Sequence, residues 1–183
     1  MSEGGPASAP VRVVALVGNP RAGSRTRLVA EAFAAGIARL AEPTGRAVQL
    51  STIELAELAP ELFTYPSATV DAAVERASSA TVLVVASPTY KATYTGLLKV
   101  FLDRLPSLAL EGVVAVPLML GGAPNHMLAV DVHLRPVLLE VGATCSTRGL
   151  FVQESELDQL DSIVERWCAA SRAVLLPALT ATA

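Results

Sequence analysis

Three runs of apolar, largely β-branched residues constrain this chain more than anything else in it. They are 11–17 (VRVVALV), 80–86 (ATVLVVA) and 112–120 (GVVAVPLML), and each is halted within two residues by glycine or proline. A run that is apolar at nearly every position has no face to give to water, so each predicts a strand buried on both sides. Between the runs the period changes. Leu28, Ala32, Phe33, Gly36, Ile37 and Leu40 recur at three and four, which predicts a helix opened by Ser24 or Thr26 as its N-cap. Residues 46–53 read as a more polar edge strand, and 54–66 as an irregular stretch with one helical turn. Helices follow at 68–79, 95–105, 127–141 and 156–176, with a last strand at 143–152.

Five strands alternating with helices predict an α/β fold, a parallel sheet with helices on both faces. The 183 residues suit one domain, 11–183, behind a loose tail at 1–10. With 52% hydrophobic and 17% charged residues the chain is not of the disordered class. A net charge of -3 offers no general attraction to nucleic acid or to an anionic membrane. The longest run without a polar residue, 113–120, is far short of the roughly 20 residues of a spanning helix. The first ten residues lack the basic start and apolar stretch of a secretory signal. Cys145 and Cys168 have no metal or redox spacing, and a reduced, cytoplasmic compartment is the expectation.

Folds of this kind bind ligands at the carboxyl ends of the strands, which directs attention to three segments. The first is GNPRAGSRT, 18–26. Asn19, Ser24 and Thr26 offer short side chains to an oxyanion, and the free N–H groups of a helix start point the same way. Arg21, Arg25 and Arg27 add three positive charges, and a phosphate monoester is the natural guest. Arg21 lies in the loop itself, whereas Arg27 sits in the first helical turn and is expected to face outward. The Gly-x-Gly-x-x-Gly fingerprint of dinucleotide sites is absent. Ser24 and Arg25 stand where a P-loop needs Lys and Ser/Thr, so the segment is not an ATPase loop.

The second segment is SPTYKATYTG, 87–96. Pro88 ends the strand, Tyr90 and Tyr94 suit a flat aromatic ligand, and Lys91 adds a cation beside it. Packing tyrosines and a solvated lysine would read the same way. The third is GGAPNH, 121–126, where Gly121 and Gly122 permit close backbone approach to a ligand. His126 is a candidate acid, but a lone histidine is more often a cap or packing residue. His133 has no third ligand nearby, so no metal site is read.

Together GNPRAGSRT, SPTYKATYTGLLKVFLDRLP and GGAPNHMLAVDVHLRPVL resemble the NAD(P)H-dependent FMN reductases of the flavodoxin-like superfamily. The alkanesulfonate-utilisation branch is the most similar. The resemblance runs from about residue 11 to 152. It implies a flavodoxin-like three-layer sandwich with strand order 2-1-3-4-5 and FMN at the three loops. Arg21, Ser24 and Thr26 would hold the phosphate, with Asn19 standing where the family usually has serine. Pro88, Thr89, Tyr90 and Lys91 would line the isoalloxazine, with Gly121 and Gly122 on its pyrimidine side and His126 close by. Tyr94 matches an inserted tyrosine that forms a π-bulge at a subunit interface. The cofactors implied are FMN and NADPH or NADH, and the chemistry is hydride transfer with no catalytic residue of the protein's own and no metal. The leading expectation is a homodimer or homotetramer, joined through the helix after Tyr94, that supplies reduced flavin to a flavin-dependent monooxygenase. Two alternatives stay open: an FMN-retaining reductase of quinones, azo compounds or metal ions, and a flavodoxin-type carrier.

Overall fold

The computed structural model describes residues 9–181. Most of the tail expected at 1–10 lies outside the described residues.

β1 (Val11–Val17) leads through a loop into α1 (Arg25–Ala41), and β2 (Val48–Glu54) follows. Next come α2 (Leu55–Leu58), α3 (Ala68–Ser78), β3 (Val82–Pro88), α4 (Gly96–Leu102) and β4 (Val114–Gly121). A π-helical turn, Val130–Leu134, runs into α5 (Arg135–Glu140), and β5 (Leu150–Gln153), a 3-10 segment Glu154–Gln159 and α6 (Leu160–Thr180) complete the chain. The sheet is parallel throughout, in the order β2-β1-β3-β4-β5, as the resemblance implied. Central pairing is continuous: Val13 lies beside Leu50 on one side and Val82 on the other, and Val84 beside Val116.

The alternation of side chains along the strands divides the core into two layers. Val11, Val13, Ala15 and Val17 face α1 and α6, together with Val82, Val84, Val116 and Leu118. Val14, Leu16, Leu83, Val85 and Met119 face the opposite layer, built from α2, α3, α4 and α5. Both layers are apolar, which is why the three runs are apolar at successive positions. α1 and α6 approach closely at Gly36: a Cβ there would stand 2.7 Å from Val164 Cγ1 and 2.8 Å from Cys168 Sγ. Phe33 and Trp167 pack edge to face beside this crossing, 5.4 Å between ring centres.

Several expectations need correction. Only Leu150–Gln153 of the last expected strand pairs continuously, because Thr144 makes a single bridge to Val114 and the chain then loops away. The π turn expected at Tyr94 is at Val130–Leu134 instead; Tyr94 precedes α4, whose N-cap is Thr95. In α4 and just beyond, Leu98, Phe101, Leu102 and Leu105 are buried within the one chain, and Leu97 and Val100 pack against the same core. The irregular stretch after β2 provides part of that cover. Arg104 holds it with bonds from its guanidinium to the carbonyls of Leu62 and Thr64. The helix after Tyr94 is thus largely covered inside the protomer. Among the described residues, no helix is long and apolar enough to cross a membrane.

Candidate functional site

The carboxyl ends of β1, β3 and β4 emerge side by side, because these strands are neighbours in the sheet. Two buried hydroxyls lock their exits together. Thr95 Oγ1 accepts the Leu98 N–H as the cap of α4 and donates to the Gly18 carbonyl at 2.5 Å. Ser87 Oγ accepts the Thr95 N–H at 3.0 Å and donates to the Pro88 carbonyl. Gly18 is required at the contact, where a Cβ would lie 2.7 Å from Leu98 Cβ.

Above this junction lies a cavity of about 390 Å³. Asn19, Arg21, Ser24 and Thr26 line it on one side and Pro88, Tyr90 and Leu120 on the other. The loop after β1 is shaped by its own side chains. Asn19 is buried; its Nδ2 donates to Thr26 Oγ1 at 3.0 Å and its Oδ1 accepts the Arg21 N–H at 2.9 Å. The amide expected to meet a phosphate therefore works first as the internal brace of the loop. Ser24 is the N-cap of α1, accepting the Arg27 N–H. Arg21 is exposed, without an ion pair among the described residues.

Arg27 is partly exposed, as expected, but it is not a free surface charge. Its guanidinium meets Glu31 at 2.9 Å and the buried Glu54 carboxylate at 2.6 Å. The hydrogen bonds to Glu31 and then Glu54 raise its pKa and hold it charged. Glu54 also accepts the Gly23 N–H at 2.8 Å, so one carboxylate at the end of β2 anchors both the middle of the loop and the first turn of α1. Sequence reasoning passed over Glu54. The available signal was a lone charge at the exit of a strand expected to adjoin β1.

The second loop makes a tight reversal. Tyr90 and Thr93 exchange backbone hydrogen bonds, and Lys91 and Ala92 between them have φ of 51° and 66°. Two consecutive non-glycine residues in the left-handed region store strain at the rim of the cavity. Tyr90 is 45% exposed and lines the cavity; Lys91 is exposed at the turn. Thr89 is bound by its backbone N–H to the Leu120 carbonyl, which sets it beside Gly121. His126 is not on the main cavity. It lies with Ala92, Asn125 and His133 in a smaller cleft beside it.

The family model for NADPH-dependent FMN reductases matches residues 11–156. The chain belongs to that family. It is 37% identical over 150 residues to the FMN reductase (NADPH) of Escherichia coli, covering 80% of this chain and 75% of that one. To the NADH-dependent FMN reductase SfnF of Pseudomonas putida it is 32% identical, with 81% of each chain covered. Among solved structures, an apo NADH:FMN oxidoreductase (EMOB) superposes with a TM-score of 0.77 at 35% identity, over 90% of this chain and 89% of that one.

Two features of this family member fit a bound FMN. Thr89 Oγ1 is buried with no hydrogen-bond partner among the described residues, and a polar ring edge would satisfy it. At Gly121 a Cβ would lie 2.7 Å from Phe151 and 3.1 Å from Thr89 Oγ1, while at Gly122 the space is open. Glycine at 121 is thus required by packing within the chain, and the open space at Gly122 leaves the backbone there free to approach a flat ligand. Neither Cys145 nor Cys168 lines the cavity, and burial pushes both thiols above their ordinary pKa. Among the described residues no cluster of three or more His, Cys, Asp or Glu forms a metal site.

Proposed function

We propose that this protein is an NAD(P)H-dependent FMN reductase that binds FMN as a substrate and passes it on, reduced, to a flavin-dependent monooxygenase. The observation that carries the reading is the convergence of three strand exits on one cavity, with cation and hydroxyls at one end and Tyr90 at the other. In this reading Arg21, Ser24 and Thr26 hold the phosphate, and Asn19 keeps the loop in shape beneath it. Pro88, Thr89, Tyr90 and Lys91 border the isoalloxazine, Gly121 and Gly122 face its pyrimidine side, and His126 lies at the margin. Bound FMN supplies the hydride-accepting chemistry, from nicotinamide C4 to flavin N5. The residues have only to stack the rings in order, exclude water and present donors, which is why the cavity needs no nucleophile and no acid of its own.

The relatives carry both NADPH- and NADH-dependent names, so either nicotinamide is a reasonable donor. A cytoplasmic setting suits the reduced cofactors and the two free cysteines. We also propose a homodimer or homotetramer. The surface that supports it is the segment 127–140 rather than the helix after Tyr94. Met127, Leu128, Val132 and Leu139 are each more than half exposed there, and Val132 lies within the π turn. Sedimentation of the wild type and of Val132→Glu tests this; a wild-type monomer at micromolar concentration defeats it.

The function itself is tested by steady-state turnover with added FMN varied at fixed enzyme. Saturable dependence on FMN supports a substrate that leaves each cycle. Full activity with a quinone at stoichiometric FMN would instead identify a retained cofactor.

A further inference from the structure

The phosphate end of the cavity holds an anion of the protein's own. Glu154 lines the same cavity as Arg21, Ser24 and Arg25, and its Oε1 lies 3.0 Å from Arg25 Nη2. Arg25 is the first residue of α1, directly after the cap Ser24, so its backbone sits at the helix end where a phosphate would be drawn. Glu154 is not a drifting surface charge at the backbone level. It follows β5 directly, in a 3-10 segment opened by a capping box in which Glu156 accepts the Gln153 N–H. The pair therefore bridges the cavity from the β1 exit to the β5 exit.

The charges around the loop sharpen the point. Arg27 is committed to Glu31 and Glu54, and Arg25 to Glu154, so Arg21 alone of the three arginines has no ion pair among the described residues. A phosphate entering here must share Arg25 with Glu154 or displace it, and displacement leaves an unpaired carboxylate facing the newcomer. We propose that Glu154 is an internal competitor for the FMN phosphate, holding affinity low enough for flavin to leave after each turnover. The proposal rests on the loop being the phosphate site, and it makes Glu154 a residue that sets release rather than chemistry.

The test is fluorescence titration of FMN and riboflavin against wild type, Glu154→Gln, Arg25→Gln and the double variant, with FMN dissociation rates by stopped flow. The pair is partly exposed, so removing the carboxylate should tighten FMN by about three- to tenfold, mainly through slower dissociation. Riboflavin, which lacks the phosphate, should bind unchanged. Arg25→Gln should cost more FMN affinity in the Glu154→Gln background than in the wild type, because only there is the guanidinium free. The proposal is overturned if Glu154→Gln leaves FMN binding unchanged or weaker while the wild type still prefers FMN to riboflavin. A wild type with no such preference would mean that the phosphate reading itself has failed, and the proposal with it. Should Glu154→Gln not fold, equal losses for Arg25→Gln and Arg21→Ala would overturn it, and a clearly smaller loss at Arg25 would support it.

Discussion

Thr95→Val replaces a buried hydroxyl with a methyl of nearly the same shape, and it tests how the site is held together. Thr95 is 4% exposed. Its oxygen caps α4 by accepting the Leu98 N–H at 3.1 Å and ties down the loop after β1 by donating to the Gly18 carbonyl at 2.5 Å. Loss of an N-cap costs about 1 kcal/mol. The Gly18 carbonyl has no other donor among the bonds of the described residues, so a buried acceptor is left unsatisfied at a further cost of about 1–2 kcal/mol. The volume is conserved, so no cavity adds to this. The expected loss is about 2–3 kcal/mol, which at a urea slope of about 2 kcal/mol/M moves the unfolding midpoint down by about 1 M. FMN affinity should fall as well, since the first loop is no longer fixed to the start of α4, and Thr95→Ser should restore both. Urea unfolding followed by Trp167 fluorescence, with FMN titration alongside, reads both effects. A midpoint within about 0.3 M of wild type would refute the argument that this hydroxyl joins the two loops.

Four further outcomes are expected. Arg21→Ala should weaken FMN binding by about tenfold and leave riboflavin unaffected, as one charge-assisted bond is lost. Arg27→Ala should weaken FMN binding less, because Arg27 serves Glu54 and Glu31; paired dissociation constants check the order. His126→Ala should retain most single-turnover hydride transfer, as the residue lies in the side cleft; a loss beyond about a hundredfold, the size of a general-acid effect, would contradict this. Gly36→Val should destabilise by about 2 kcal/mol, since its Cβ already collides with Val164 and Cys168 on α6, and thermal unfolding measures it.

The order of strands and helices was legible because burial on both faces leaves an unambiguous mark: 11–17, 80–86 and 112–120 had to be central strands. The loop after β1 was legible for a similar local reason, since the Ser24 cap, the glycines and the arginines all lie within residues 18–27. Glu54 was not. Its partners Gly23 and Arg27 are about thirty residues away along the chain, and only the pairing of β2 with β1 brings them together. The pairing of the partly exposed Arg27 with Glu54 was hidden for the same reason. The helix after Tyr94 looked too apolar for one neighbour because its cover comes from the irregular stretch after β2, held by Arg104 to Leu62 and Thr64. The π turn was assigned to Tyr94, whereas the backbone widens at Val130–Leu134.

The sequence by itself determined the class of fold, the three loops at the exits of β1, β3 and β4 and the capped, cationic start of α1. These rest on periodicity, caps and turn residues, which act over a few positions and can be read in a line. Tertiary structure alone decided which charges meet: Glu54 beneath the loop, Glu154 across the cavity from Arg25, and the Thr95 hydroxyl on the Gly18 carbonyl. Those contacts join strand exits that are dozens of residues apart. An ion pair or a hydrogen bond leaves no period in the sequence, so only folding reveals its partner.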